Sequence, residues 1–344
     1  MNTEKLKLFF SQNWLIKDLQ PTVMLYPWLS FSELDESDPD KGRFQEYAKT
    51  GDSFFEVVNN LNNCDFAVFP HNYFPDTRID NLIHTILKEL LPFEKKLILF
   101  YNSDDDQPLI FNNIILFRTS FYKSSQKEFE FSMPGWSVDF KKYFQNEQVF
   151  FLDKNEKPSV SYCGYIDYEK LDLKLFIKKI ISKPNKSHLA FAPSIRGEAC
   201  RNLKQNKSIE CNFIIRNGFW AQEMDDKIAA RSQYAKNMQQ SLYALVTRGG
   251  GNFSYRLYEV LSCGRIPIFI NTDAVLPCDN IVDWKKHVLW LEHHEIKKID
   301  KILLNFHKSK SNEELLMLQK SNRILYEKFI SPNGFFNQLK HIIP

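Results

Sequence analysis

Residues 247–270 read "TRGGGNFSYRLYEVLSCGRIPIFI". An apolar run, "LYALVTR" (242–248), leads into them. The order predicts a strand over 242–248, a loop at 249–251, a helix over 254–263 and a strand over 265–270, which is a βαβ unit. Such units pair their strands in parallel, so the stretch points to a doubly wound α/β fold. The chain has only 11 glycines in 344 residues, yet Gly249, Gly250 and Gly251 stand side by side in the first turn of this unit. A glycine turn before a helix offers backbone N–H groups and the positive helix end to an anion. Asn252 or Ser254 can cap the helix. Arg248 and Arg256 add charge-assisted donors for a diphosphate. Glu259, five residues into the helix, is placed to accept hydrogen bonds from ribose hydroxyls. No Gly-Lys-Ser/Thr follows, so this is not a Walker A loop, and it is not a GxGxxG fingerprint either.

Outward from this unit the pattern repeats. "PTVMLYPWL" (21–29), "CDFAVFPHNYF" (64–74), "KKLILFYNS" (95–103) and "NNIILFRTSF" (112–121) read as strands, with a helix over "NLIHTILKELLPF" (81–93). A second series follows: strand 159–166, helix 168–182, strand 188–193, a short helix at 196–206, strand 211–220 and a helix around 226–240. The stretch 143–159 reads as a linker. These readings give an N-terminal Rossmann-like domain over 1–155, a second over 156–325, and a tail, 326–344, that can return to the first domain. Two such domains would face each other across a central cleft at the carboxyl ends of their strands.

A net charge of +3 argues against a nucleic-acid partner. The six cysteines form no CxxC pair, and no signal peptide or 18-residue apolar span is visible. These features predict reduced, buried thiols in a cytoplasmic protein. The basic amphipathic stretch 293–310 reads either as a core-facing helix or as a peripheral contact with the inner face of a membrane.

The stretch "NFSYRLYEVLSCGRIPIFINTDAVLP" resembles the signature of the exostosin-like glycosyltransferases. The matching residues are Gly251, Ser254, Arg256, Glu259, Gly264, Pro267, Asp273, Leu276 and Pro277. The lead-in from Tyr234 to Leu245 and the strand "CDFAVFPHNYF" are also similar, and the likeness covers mainly 158–290. The Gly-Arg-Ile-Pro variant fits a bacterial-type member. The resemblance implies a GT-B fold and an inverting transfer from a nucleotide-sugar, UDP-linked, to a glycan or lipid-linked glycan acceptor. It implies no cofactor and no divalent metal, and it allows other biosynthetic transferases as partners. It places Arg196 and Arg201 of "SIRGEACRNL" near the donor phosphates, and Arg216 or Trp220 near the nucleobase, although Trp220 also reads as core.

An inverting transfer needs a base to take the acceptor proton. Two residues offer themselves: His71 in "VFPHNYF" and Asp139 in "MPGWSVDF". Arg256 is the residue expected to stabilise the leaving diphosphate. Asp104-Asp105-Asp106 satisfies the Asp-x-Asp metal signature of a different transferase fold, and also reads as a solvated turn. An alternative function is that of a catalytically silent nucleotide-sugar-binding subunit beside an active transferase.

Overall fold

The computed structural model describes residues 5–166, 192–216, 218 and 226–343. Its first sheet contains β1 (Leu6–Phe9), β2 (Phe55–Val57), β3 (Phe66–Asn72), β4 (Leu97–Tyr101), β5 (Ile114–Arg118) and β6 (Glu130–Ser132). The strand order is β2-β1-β3-β4-β5-β6, and every pair is parallel. β4 and β5 are buried at every residue, as their apolar runs require of central strands covered on both faces. A short helix, α1 (Gln45–Thr50), precedes β2. The longer α2 (Thr77–Leu90) starts where the Asp76 carboxylate accepts the Arg78 and Ile79 N–H groups. Its buried stripe of Ile79, Ile83, Ile86 and Leu90 packs on Phe69, Leu97, Leu99 and Leu116.

The second sheet contains β7 (Ser159–Tyr165), β8 (Glu210–Arg216), β9 (Tyr243–Val246), β10 (Ile266–Asn271) and β11 (Leu289–Glu292). Its order is β11-β10-β9-β7-β8, again all parallel. The helices here are α3 (Ala192–Gln205), α4 (Lys227–Gln239), α5 (Tyr255–Ser262), α6 (Ile299–Ser309) and α7 (Asn312–Leu325). The winding direction reverses between β7 and β9, so their carboxyl ends flank the crevice where open α/β sheets bind ligands.

The chain then crosses back. After a π turn at Tyr326–Ile330, α8 (Pro332–Ile342) lays Phe335 and Phe336 against Phe100, Phe117 and Trp136 of the first domain. The Trp136 indole donates to the Ile330 carbonyl at 2.9 Å. The buried Arg265 holds the linker. Its guanidinium donates to the carbonyls of Phe150, Cys263 and Gln239, and burial pushes its pKa down to about 10. Two parallel doubly wound sheets with facing carboxyl ends and a crossing-back helix make this a GT-B fold.

Several sequence expectations need correction. Residues 21–29 hold a 3-10 turn, Val23–Leu25, rather than a strand. Their apolarity reflects burial of Met24 and Leu25 in the core. Ala192 and Pro193 open α3 rather than close a strand. The expected helix at 168–182, residues 188–191 and Trp220 lie outside the described residues. Arg216 is tied to α4 through the Ala230 carbonyl and the Gln233 side chain. In the stretch 293–310, Ile296, Ile299, Leu303 and His307 are buried in the second core. Its apolar face is therefore spent inside the protein, leaving Lys297, Lys298, Lys301 and Lys308 outside.

Candidate active site

None of the three loop glycines has a positive φ, so backbone freedom is not what the positions demand. They demand space. A Cβ on Gly251 would lie 2.7 Å from Ser120 Oγ and 2.8 Å from Asp104 Cα, both in the first domain. A Cβ on Gly250 would lie 2.5 Å from Asp104 Oδ2. The loop thus passes under the carboxyl ends of β4 and β5, with domain against domain. Asn252 locks this contact. Its N–H donates to Ser120 Oγ at 2.8 Å, and its side-chain amide donates to the Phe121 and Asp273 carbonyls. Thr272 Oγ1 donates to its side-chain oxygen at 2.7 Å. Asn252 is therefore an interface residue, not a cap or a ligand contact. Ser254 takes the N-cap position of α5 but makes no side-chain capping bond.

Three arginines converge at the switch point. Arg196, on α3, donates to Thr247 Oγ1 at 3.1 Å and to the Arg248 carbonyl at 2.7 Å, just past β9. Arg256, on α5, donates to the Cys163 carbonyl near the end of β7. Its guanidinium lies 4.3 Å from the Tyr162 ring centroid and 5.0 Å from that of Tyr234. Arg248 donates to the Gly250 carbonyl and, across the domain interface, to the Tyr122 hydroxyl, each at 3.2 Å. Burial, and then the like charges of Arg256 and Arg248, lower the Arg196 pKa, with the Tyr162 hydroxyl opposing them. Crowded guanidinium groups at the ends of β7 and β9, beside the start of α5, favour a bound anion of high charge.

Residues 178–306 match the model of the exostosin GT47 domain. This segment is similar to an exostosin-type glycosyltransferase domain. Among relatives, exostosin-1 of Drosophila melanogaster is 27% identical over 133 residues, covering 39% of this chain and 15% of that protein. A probable glucuronosyltransferase of Physcomitrium patens is 28% identical over 113 residues, covering 31% of this chain and 24% of that one. The chain thus spans less than a quarter of the length of either relative. Similar solved structures include TarM, at 12% identity and a TM-score of 0.35, covering 88% of this chain and 53% of that one. Another is WaaG, a glycosyltransferase involved in lipopolysaccharide biosynthesis, at 10% identity and a TM-score of 0.34, covering 83% and 86%.

The structure separates the sequence candidates. Arg196, Arg248 and Arg256 come together. Arg201 is exposed, on a different side of α3 from the partly buried Arg196. Glu259 is 3% exposed, with one oxygen 2.7 Å from Arg231 Nη2 and the other accepting from the Tyr234 hydroxyl at 2.5 Å. Both its oxygens are taken inside the protein, which corrects its assignment to a ribose. The same Arg231 nitrogen reaches Asp40 of the first domain at 2.9 Å, forming an ionic bridge between the domains. Nothing in the local sequence marked Arg231 for this role, because its partners lie 191 residues before it and 28 after it in the chain.

Neither expected base is poised for proton transfer. His71 is 2% exposed, its Nε2 accepts from the Ile16 N–H at 2.8 Å, and its Nδ1 faces the Gln20 carbonyl at 3.0 Å. Nδ1 must therefore carry the proton, and no ring nitrogen remains to take another. Burial holds its pKa below the ordinary value. Asp139 is clamped by Arg323, with Nη1 at 2.6 Å from Oδ1 and Nη2 at 2.7 Å from Oδ2, and it also accepts the Lys141 N–H. His71 ties segments of the first domain together, and Asp139 joins that domain to α7 of the second.

The Asp104–Asp106 run is a shaped turn. Asp105 accepts from the Tyr101 hydroxyl at 2.7 Å and the Gln107 N–H at 3.0 Å, and Asp106 bonds the Tyr122 hydroxyl. Among the described residues, no group of three or more His, Cys, Asp or Glu side chains could hold a metal ion. A cavity of about 130 Å³ lined by Leu152, Asn155, Ser159 and Leu242 lies at the amino ends of β7 and β9, away from the arginines. No helix among the described residues is long and apolar enough to cross a membrane.

Proposed function

We propose that this chain transfers a sugar from a UDP-sugar to a hydroxyl of a polysaccharide or glycolipid, with inversion and without a metal. The observation that carries the reading is the cluster of Arg196, Arg248 and Arg256 at the β7/β9 switch point. A leaving diphosphate gains negative charge as the glycosidic bond breaks, and prearranged guanidinium donors stabilise it without reorganising. The relatives named as probable glucuronosyltransferases make UDP-glucuronic acid the first donor to try. The reaction is proposed for the cytoplasmic face, with the exposed lysines of residues 297–308 beside an anionic membrane that carries the acceptor. The test is UDP release from UDP-glucuronic acid, UDP-N-acetylglucosamine and UDP-glucose, with oligosaccharide acceptors and EDTA present. Turnover with one donor is expected. UDP binding without turnover on any donor would instead assign the chain a silent, donor-binding role.

A further inference from the structure

With His71 and Asp139 engaged elsewhere, the carboxylates near the domain junction are the candidate bases among the described residues. Asp40 and Glu259 share Arg231, and Asp40 also accepts the Val138 N–H. Asp105 is held by Tyr101, and Asp106 by Tyr122. Asp273 accepts from the Ser124 hydroxyl at 2.6 Å. Asp104 differs from all of these. It is exposed, and its carboxylate has no hydrogen bond or ion pair among the described residues.

Its position is as distinctive as its freedom. Asp104 lies three residues past β4, on the acceptor-side domain, and its Oδ2 sits against the Cα of Gly250. Arg248 holds the carbonyl of that same glycine at 3.2 Å. Asp104 also interacts electrostatically with Tyr255, the residue that precedes Arg256 on α5. The glycines therefore bring a first-domain carboxylate up to the donor loop, where any side chain at 250 would push it away.

We propose that Asp104 is the general base of the transfer, an inference that rests on the transferase reading above. Asp104 takes the proton of the acceptor hydroxyl as that oxygen bonds to the anomeric carbon. The bond from the anomeric carbon to the phosphate oxygen breaks, and its electron pair leaves on UDP beside Arg196, Arg248 and Arg256. The proton on Asp104 then passes to water. Attack from the acceptor side and departure on the donor side give inversion.

The test compares wild type with Asp104→Asn and Asp104→Glu. In UDP release with acceptor, Asp104→Asn lowers kcat by about 10²–10⁴-fold. UDP affinity by calorimetry stays within about twofold, because the lost step is chemical. Asp104→Glu recovers part of the rate, and the acid limb of the wild-type pH profile disappears in Asp104→Asn. The inference is overturned if Asp104→Asn keeps its kcat within about threefold of wild type. Loss of UDP binding along with turnover also overturns it, making Asp104 a strut under the loop. If wild-type protein releases no UDP, the transferase reading fails separately, and carbon-13 NMR of labelled aspartate decides the placement. An upward shift of the Asp104 titration when UDP binds keeps the carboxylate beside the diphosphate. An unmoved titration removes it.

Discussion

If the glycine loop exists to let one domain touch the other, its three positions must respond unequally to alanine. At Gly249 the nearest atom to a new Cβ is the Phe253 carbonyl oxygen at 3.3 Å, within the loop itself. Because φ is not positive there, alanine costs little in the native state and removes unfolded-state freedom. The net effect should fall between neutral and a gain of about 0.4–1 kcal/mol. At Gly250 the obstacle is the end of the Asp104 side chain, 2.5 Å away. A flexible carboxylate swings aside, so stability holds while turnover falls. At Gly251 the obstacles are Ser120 Oγ at 2.7 Å and the Asp104 backbone at 2.8 Å and 3.0 Å. Backbone cannot swing aside, and the domains must part, at about 1–3 kcal/mol for such overpacking. The assay is thermal unfolding of the three variants beside calorimetric UDP binding. For a domain of this size, roughly 2–4 °C is lost per kcal/mol, so Gly251→Ala alone should melt visibly earlier. Equal melting temperatures for all three, or a larger loss at Gly249, would refute the close-approach argument.

Other substitutions test the remaining assignments. Asp139→Asn removes the bidentate contact with Arg323 and should cost about 1–3 kcal/mol in urea unfolding, with kcat per folded molecule nearly unchanged. A base would lose far more rate. Arg231→Met strands the buried Glu259 carboxylate and should cost about 3–5 kcal/mol, much of it regained in Arg231→Met/Glu259→Gln by denaturant titration. His71, His287 and His307 all have pKa values lowered chiefly by burial, so the unfolded chain binds more protons than the folded one below the unfolded value, about 6.5. Stability should therefore be full above that pH and fall as pH drops through the folded values. The slope approaches about 1.4 kcal/mol per pH unit for each extra proton, and chemical unfolding of His71→Gln should show a shallower loss.

The strands that carry the fold were legible where apolar residues run together. "FAVFPHN", "LILFY" and "IPIFI" all became central strands. The edge strands "FEV" and "EFS" were not, because three residues of mixed polarity leave no period to read. "PTVMLYPWL" misled for a related reason: apolarity marks burial, and a 3-10 turn can be buried as well as a strand. Arg256 stood out through its place in a family-like motif and Arg196 through its basic stretch, and the structure brings both beside Arg248. The fates of His71 and Asp139 were not legible, since they depend on Gln20 and Arg323, 51 and 184 residues away in the chain. Asp104 looked like an ordinary acidic turn. Only the glycines facing it in space give its carboxylate a role.

UDP binding at the arginine cluster is the property on which the proposed chemistry depends most directly. Calorimetric titration of UDP into wild type, Arg196→Met and Arg256→Met, with EDTA throughout, reads it without knowing sugar or acceptor. A charge-assisted hydrogen bond contributes about 1.5–3 kcal/mol, so each substitution should weaken an EDTA-insensitive affinity by roughly 10- to 100-fold. UDP that fails to bind, or that binds both variants as tightly as wild type, would contradict the placement of the donor at the β7/β9 switch point.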